Sequence, residues 1–394
     1  MQANPKREEF QARVERIRDE MRSRKLDALF VMQPTNVWYV TGFWEFIPIR
    51  IEAALVPLEG ECAFIVSKNE YEYAAKASWI EDIRYYTEFP EKNHFQNPYD
   101  LIVEVIQDRK LERAAVGIEE NYMPVSEYGR LKQRLPNIRF QDSSTVLQRC
   151  RMIKSPFEID LLKKSGRVAT AAWAASMKAI KPGVREFEVA QAARDAATRT
   201  AATFLTAPED VNHSPITDGV QLIQAGKRSS ISHGRGSPNP IVDGDMVAMC
   251  FCMTNQFKGY RVGYSRNLAV GSATQEMKDV YKLLYDAQHA AFDELKPGVT
   301  ASHLDRIVRE RIYAAGYGDY IEHRLGRGVG LDIAEAPDLK EGDDTVLQPG
   351  VTLSIEPAIY ITGKWGIQIE DSVHVTPTGW EYLTEPAPSE LPIV

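Results

Sequence analysis

The spacing of apolar positions along the first 150 residues predicts a domain of mixed helices and strands. Between residues 7 and 23 apolar side chains recur at helical intervals, with Phe10, Val14, Ile17 and Met21 on one face. Shorter apolar runs are typical of buried strands. Such strands are predicted at residues 26–32, 38–43, 51–57, 62–66 and 115–118, and a further helix is predicted at residues 99–107.

A change of pattern near residue 150 predicts a domain boundary. Ser155-Pro156-Phe157-Glu158 combines an N-cap serine, a proline in the first turn and a glutamate at the third helical position, which indicates a capping box. Two pairs of helices follow, and the first helix of each pair ends at Lys-Pro-Gly, which indicates an internal repeat. We therefore predict two domains, residues 1–150 and 151–394. The predicted helices are residues 161–180, 186–200, 276–295 and 303–315.

The segment from Ser232 to Gly271 predicts a β-hairpin in the middle of the second domain. An apolar run ends at Cys250-Phe251-Cys252, and a second strand-like run covers residues 260–270. His233 lies just before this hairpin. Two glutamates, Glu356 and Glu370, each interrupt an apolar strand, where a carboxylate is costly unless it has a partner or a function.

Composition and charge restrict the classes of function. The 394 residues carry 47 Lys and Arg against 55 Asp and Glu, and a net charge of −8 without a basic patch argues against a nucleic-acid partner. Since no apolar run approaches the roughly 18 residues of a membrane span, we expect no membrane segment. Four cysteines in a chain of this size are typical of a reduced compartment, and the charged N-terminus is unlike a signal peptide, so we expect a cytoplasmic protein.

Several motifs in the second domain resemble one known family. They are Gly244-Asp245-Met246-Val247, the loop Gly326-Arg327-Gly328-Val329-Gly330-Leu331, Ser354-Ile355-Glu356-Pro357 and the run that starts at Gly366. In this order and spacing they resemble the creatinase, prolidase and aminopeptidase P family. The resemblance implies an α+β protein with an N-terminal α/β domain of the creatinase/prolidase type and a pseudo-symmetric "pita-bread" catalytic domain. It also implies a homodimer in which one subunit's N-terminal domain covers the other subunit's site.

The resemblance breaks at the metal ligands. Peptidases of this family hold two divalent metals with two aspartates, a histidine and two glutamates, and only Glu356 and Glu370 remain here. Cys250 and Gly263 fall on the aspartate positions and Arg327 falls on the histidine position. Two hard cations need several anionic oxygens, so we predict a site without metal or other cofactor, in which Arg327 pairs with a glutamate. A single zinc on Cys250 and the glutamates is an alternative that Arg327 disfavours.

Creatinase lacks metals too, and its catalytic histidine aligns with His233. The predicted function is therefore a metal-independent hydrolase that cleaves a C–N bond in a small amidine, guanidine or cyclic amide bearing a carboxylate. Ectoine hydrolases are similar over residues 260–267. Two alternatives from other classes stay open: a metal-dependent Xaa-Pro peptidase with an unusual ligand set, and a binding protein that has lost catalysis.

The sequence assigns the catalytic roles to four residues. His233 would move a proton between water and the leaving nitrogen, as an imidazole near neutral pH can. Glu356 and Glu370 would orient His233 or hold a cationic nitrogen of the substrate. Cys250 is either a thiolate nucleophile or an inert buried residue.

The remaining candidates concern substrate binding. The resemblance implies that Arg50 of the partner subunit grips the substrate carboxylate, and Arg327 is either a second clamp or a structural salt bridge. Arg261 and Tyr264 are predicted to contact the substrate. Trp44 and Phe46 are pocket or packing residues, Arg266 and Cys252 are predicted to be structural, and His323 and His374 are predicted to be surface or supporting residues.

Overall fold

The computed structural model describes residues 5–44, 49–207, 210, 213–216, 222–252 and 256–394. The chain divides into two compact units, Met1–Arg151 and Met152–Val394. Each unit has its own buried apolar core. No helix in the described ranges is both long enough and apolar enough to cross a membrane.

The N-terminal unit surrounds a mixed sheet with helices. Its described strands form one sheet in the order β4-β3-β2-β1-β5-β6, and β2 pairs antiparallel with both β1 and β3 while the other pairings are parallel. This is the α/β arrangement that the pattern of apolar runs predicts. The helices are α1 (Pro5–Arg24), α2 (Pro34–Thr41), α3 (Lys68–Ala77), α4 (Pro98–Asp108), α5 (Val125–Arg134) and α6 (Ser144–Met152). The strands are β1 (Ala28–Val31), β2 (Ala53–Pro57), β3 (Ala63–Ser67), β4 (Asp82–Tyr86), β5 (Ala115–Ile118) and β6 (Arg139–Asp142).

One prediction for this unit is wrong. Residues 38–43 were expected to form a strand, but they belong largely to helix α2, which has Pro34 in its first turn. Gly42 ends this helix with a φ of 79°, a left-handed conformation that suits glycine. The side chains from Asn36 to Thr41 are all buried, so the helix has no polar face and lacks the 3.6-residue periodicity by which amphipathic helices are recognised.

The C-terminal unit contains two helix pairs, each followed by strands. Helices α7 and α8 precede β7–β9, and α9 and α10 precede β10–β16, which is the internal repeat that the sequence predicts. The capping box is confirmed: Ser155 Oγ accepts a hydrogen bond from Glu158 N at 3.2 Å, and Glu158 Oε2 accepts one from Ser155 N at 3.0 Å. The helices are α7 (Pro156–Ala179), α8 (Glu186–Ala202), α9 (Gln275–Glu294) and α10 (Ala301–Ala314). The strands are β7 (Leu222–Ala225), β8 (Met246–Cys250), β9 (Ser265–Ala269), β10 (Gly326–Gly328), β11 (Glu335–Leu339), β12 (Thr352–Ile355), β13 (Ala358–Ile361), β14 (Trp365–Gln368), β15 (Asp371–Val375) and β16 (Trp380–Tyr382).

The strands of this unit fix the direction of its polar side chains. The sheets have the strand orders β7-β8-β9, β11-β10-β12-β15-β16 and β13-β14. Leu353 and Ile355 of β12 and Val373 of β15 belong to the apolar core shared with α9 and α10. Because successive side chains of a strand point to opposite faces, Ser354 and Glu356 point away from this core.

Candidate active site

Strand pairing brings polar residues from distant parts of the chain together. Ser265 on β9 pairs with Cys250 on β8 and also forms an antiparallel bridge with Glu370, which lies between β14 and β15. Arg327 on β10 pairs with Ser354 on β12. We call the resulting group the site cluster. It consists of Cys250, Cys252, Ser265, Arg327, Ser354, Glu356, Gln368 and Glu370.

The carboxylate of Glu370 lies at the centre of the site cluster and is completely buried. Its Oε1 accepts a hydrogen bond from the Ser354 hydroxyl at 2.7 Å and lies 3.4 Å from Arg327 Nη1. Its Oε2 accepts one from the Ser265 hydroxyl at 2.6 Å and lies 3.8 Å from Cys250 Sγ. The two oxygens therefore face different partners: one faces a cation and the other faces a thiol.

Arg327 joins the two glutamates. Its Nη1 makes a close ion pair with Glu356 Oε1, and Gln368 Nε2 donates to Glu356 Oε2 at 3.1 Å. Burial and the nearby Glu370 raise the pKa of Glu356 to about 8, against the opposing effect of the guanidinium. Burial lowers the pKa of Arg327, but the carboxylates of Glu356 and Glu370 outweigh this and keep it well above its ordinary value. The ion pair that the sequence predicts between Arg327 and the glutamates is present.

The two cysteines of the hairpin meet at the edge of the site cluster. Cys250 Sγ lies 2.8 Å from Cys252 Sγ, and both side chains are buried. The hydrogen bond from Cys250 and the burial of the thiol raise the pKa of Cys252. Cys252 was expected to be a core residue, and it is buried in a small apolar cluster with Leu222 and Cys250, where its thiol lies beside that of Cys250. Whether Cys250 acts as a nucleophile stays a prediction.

Gly263 lies where a side chain would collide with the site cluster. Its N–H donates to Ser372 Oγ at 2.9 Å, and the same hydroxyl donates to Gly263 O at 2.9 Å, which fixes the backbone. A Cβ at this position would lie 2.1 Å from Glu370 Oε1 and 2.1 Å from Ser354 Oγ. The space that an aspartate would need at residue 263 is therefore filled by Glu370 and Ser354.

Replacing Gly263 with alanine should consequently displace the Glu370 carboxylate. We expect the free energy of unfolding in urea to fall by about 1–3 kcal/mol, the usual cost of overpacking. Gly129 provides the matched control, since it lies inside helix α5 with open space around its Cα. Gly129→Ala should instead raise the free energy of unfolding by up to about 1 kcal/mol. Equal effects at the two positions would contradict the described packing around Glu370.

A histidine and a tyrosine form a second polar pair in this unit. His323 Nε2 lies 3.2 Å from the Tyr360 hydroxyl, and His323 Nδ1 lies 2.8 Å from the backbone oxygen of Arg324. Burial lowers the pKa of His323 and raises the pKa of Tyr360, so both groups are neutral near pH 7. His323 was predicted from the sequence to be a surface or supporting residue, and this pair was not identified.

Other predicted site residues lie outside the site cluster. His233 is exposed in the turn after the 3₁₀ helix Gly226–Ser230, and no hydrogen bond or ion pair among the described residues joins it to the site cluster. Arg50 lies in the N-terminal unit, where its Nε donates to Glu88 Oε1 at 2.9 Å. The backbone N–H of Arg261 donates to Gly330 O at 2.7 Å. The catalytic role of His233 and the binding roles of Arg50 and Arg261 stay predictions.

Tyr264 was predicted to contact the substrate, but its side chain packs inside the unit. Its ring is buried against the guanidinium of Arg266, whose Cζ lies 4.0 Å from the ring centroid. Because side chains alternate along an extended segment, Tyr264 points away from the face on which Ser265 contacts Glu370. The structure gives no support to Tyr264 as a substrate contact.

Two further aromatic residues were predicted to line a pocket or to pack. Trp44 packs edge-on against Trp38, with ring centroids 6.3 Å apart, and Phe46 lies outside the described residues.

Comparison with known proteins identifies the family. Residues 160–377 match the model of metallopeptidase family M24, and residues 13–153 match the creatinase/prolidase N-terminal domain. The chain belongs to metallopeptidase family M24. It is 30% identical over 372 residues to an Xaa-Pro dipeptidase of Lactobacillus delbrueckii subsp. lactis, which covers 94% of this chain and 96% of that protein.

Solved structures give the same assignment of fold. An Xaa-Pro dipeptidase from Bacillus anthracis superposes with a TM-score of 0.85 at 28% identity, covering 98% of this chain and 100% of that one. A prolidase from Pyrococcus horikoshii OT3 superposes with a TM-score of 0.80 at 30% identity, covering 95% and 98%. The predicted α+β architecture, with a creatinase/prolidase N-terminal domain and a pita-bread domain, is therefore confirmed.

The main function predicted from the sequence is wrong. A metal-independent, creatinase-like hydrolase of amidines, guanidines or cyclic amides was expected, and so was a place in a metal-free creatinase-like or ectoine-hydrolase-like branch. Relatives that match at least 94% of this chain instead include Xaa-Pro dipeptidases, and the chain itself matches the model of a metallopeptidase family. The prediction relied on the lost aspartates and on His233, and the lost aspartates do not determine which substrate is bound.

The family name implies metal ions, and its peptidases are expected to hold two hard cations at this site. The residues present do not fit such a pair. Cys250 offers a soft sulfur, Gly263 offers no side chain, and the guanidinium of Arg327 already occupies oxygens of Glu356 and Glu370. Hard divalent ions require several free anionic oxygens.

Proposed function

We propose that this chain hydrolyses the C–N bond of a small peptide, with Xaa-Pro dipeptides as the substrate class. The proposal rests on the resemblance over the whole chain to Xaa-Pro dipeptidases, since both the N-terminal and the C-terminal units are matched. The alternative of a protein without catalysis is less favoured, because burying two glutamates in one cluster is costly unless they serve a function.

The observation that supports a hydrolytic site most directly is the arrangement of Glu356 and Glu370. Both are buried, and both lie at the positions where the resemblance places acidic site residues. Their carboxylates are held at fixed places by Arg327, Gln368 and Ser354. Fixed carboxylates of this kind can orient a water molecule or hold the amino group of a peptide.

We include the neutral pair of His323 and Tyr360 in the proposal as candidate groups for the proton transfers of peptide hydrolysis. The attacking water must lose a proton and the leaving nitrogen must gain one, and neutral imidazole and phenol groups can accept and donate protons. Burial keeps both groups uncharged, so they can serve a neutral amide without introducing an unpaired charge. The homodimer, and the reach of Arg50 from one subunit to the site of the other, remain part of this proposal.

A substrate panel tests the proposal. Reduced protein, with and without added zinc, manganese or cobalt, should release free proline from Xaa-Pro dipeptides and leave dipeptides without proline and longer Xaa-Pro peptides largely intact. Glu370→Gln should lower kcat/KM at least about 100-fold, because the cluster loses its central carboxylate. Gly129→Ala, distant in sequence and in the other unit, should retain full turnover. Failure to cleave any Xaa-Pro dipeptide under all of these conditions would reject the proposal.

A further inference from the structure

We propose that Cys250, Cys252 and Glu370 bind one soft divalent ion of the zinc class. The three residues are buried, and each offers a ligand atom within 4.8 Å of the others. Two thiols and one carboxylate form a ligand set that suits zinc rather than manganese or magnesium, because sulfur ligands select soft or borderline ions. This inference is independent of the proposed function, since binding of an ion is measured without any substrate.

Of the two distances that can be compared with a tetrahedral site, the one between sulfur and oxygen lies near the required value and the one between the two sulfurs is shorter. With Zn–S bonds of about 2.3 Å, two sulfurs on one zinc are about 3.8 Å apart, and a sulfur and a carboxylate oxygen are about 3.5 Å apart. Cys250 Sγ and Glu370 Oε2 are already 3.8 Å apart. Cys250 Sγ and Cys252 Sγ, at 2.8 Å, need to separate by about 1 Å for both to bind one zinc.

The orientation of Glu370 also suits this site. Its Oε1 is engaged by Ser354 and Arg327, whereas Oε2 faces Cys250 and accepts a hydrogen bond from Ser265. One oxygen can thus remain with the guanidinium while the other binds the ion. The fourth position of the tetrahedron stays open to a water molecule or a substrate atom, as in catalytic zinc sites.

The charges around the site permit the ion although Arg327 is close. Binding replaces the two thiol protons by one divalent cation, so the formal charge of the site cluster does not change. The guanidinium of Arg327 opposes the rise in the pKa of Cys252, but the hydrogen bond from Cys250, burial and Glu370 together keep that pKa well above its ordinary value. The ion itself must therefore displace the two thiol protons, as divalent ions do when they bind cysteine.

Metal loading of the whole protein tests the inference. Protein purified under reducing, anaerobic conditions and stripped with a chelator is equilibrated with zinc or cobalt and then analysed for bound metal. We expect about one ion per chain, with about two protons released per ion in weakly buffered solution. Cobalt should produce a thiolate-to-cobalt charge-transfer band. Absence of a bound ion, or binding without proton release, would overturn the proposal.

Cysteine variants locate the ion. Cys250→Ser and Cys252→Ser should each lose the charge-transfer band and weaken zinc binding at least about tenfold. Cys62→Ser is the matched control, because Cys62 is a buried thiol of the N-terminal unit and should leave binding unchanged. Circular dichroism checks folding, and the spectrum of the wild-type protein with cobalt remains decisive if a variant fails to fold. Zinc binding by the Cys250→Ser/Cys252→Ser double variant that equals binding by the wild type would contradict the site.

The two proposals fail separately. Stoichiometric zinc with the thiolate signature but no turnover of any Xaa-Pro dipeptide would overturn the proposed function and leave the metal site intact. Turnover by protein that binds no ion at Cys250 and Cys252 would overturn the metal site and leave the proposed function intact.

Discussion

Replacing Arg327 with alanine is expected to lower the free energy of unfolding by about 3 kcal/mol, the scale of losing one partner of a buried ion pair. The guanidinium is buried and contacts both Glu356 and Glu370, and its Nε also donates to Ile333 O at 2.8 Å. Without it, the two carboxyl groups would face each other in a site with little water. Urea denaturation of chelator-treated protein measures the effect and avoids compensation by a bound metal.

A neighbouring arginine provides the control. Arg324 lies three residues earlier and pairs with Asp338 through a 3.1 Å contact, but its side chain is 36% exposed. Arg324→Ala should therefore change the free energy of unfolding by no more than about 1 kcal/mol. Adding Glu356→Gln to Arg327→Ala should recover part of the lost stability, because one of the two acids is then neutral. Equal losses at Arg324 and Arg327 would contradict the described role of Arg327.

Replacing Arg266 with alanine is expected to be the most destabilising change, with a loss of about 4–5 kcal/mol. Arg266 is 1% exposed, and its Nη2 donates to Asp371 Oδ1 at 2.6 Å. Its Nη1 donates to the backbone oxygens of Ser265 at 2.8 Å and Glu370 at 2.7 Å. Its guanidinium also lies over the ring of Tyr264. Loss of this side chain leaves the buried Asp371 carboxylate without its counter-ion and removes two bonds that hold the backbone beside the site cluster.

Two variants serve as controls for Arg266→Ala: Arg266→Lys at the same position and Arg199→Ala at the surface. Arg266→Lys keeps the charge but cannot make the planar fork of hydrogen bonds, so its stability should lie between those of the wild type and the alanine variant. Arg199→Ala, on the exposed face of α8, should unfold at the same urea concentration as the wild type. If Arg266→Ala unfolds at the same urea concentration as the wild type, the ion pair with Arg266 does not stabilise the buried Asp371 carboxylate.

Much of the fold could be predicted from local patterns. The capping box at Ser155, the antiparallel pair β2–β3 and the strand β5 all follow from residues that are close in sequence, and the structure contains each of them. Helix α2 could not be predicted, because its buried surroundings allow apolar residues on every side. In that case tertiary packing, not the local pattern, determines the conformation.

The site could be predicted in part. Arg327 meets Glu356 and Glu370 as expected, because each stands at a position that the family motifs make recognisable. Ser354 and Gln368 were missed, although each lies two residues before one of the glutamates. Side chains two residues apart point to the same face of a strand, so the spacing from each glutamate could have identified Ser354 and Gln368 as neighbours in the site.

Other features of the site depend on contacts that no local pattern contains. Cys250 and Cys252 could be placed on one side of the chain by their spacing, but the meeting of their sulfurs requires the turn after β8. The tight space at Gly263 is created by Glu370 and Ser354, which are more than 90 residues away. The substrate class was predicted wrongly because absent ligands report on metal chemistry and not on the molecule that is bound.

In the proposed site Arg327 holds Glu356 and Glu370, and one soft ion would bind to the two thiols in place of the two hard ions that peptidases of the family hold. The most direct test is a crystal structure of the zinc-loaded protein with anomalous diffraction measured at the zinc edge. We expect one anomalous peak bounded by Cys250 Sγ, Cys252 Sγ and Glu370 Oε2, with Arg327 still paired to Glu356. Two peaks bridged by Glu356 and Glu370, with Arg327 displaced from both, would contradict the proposed site.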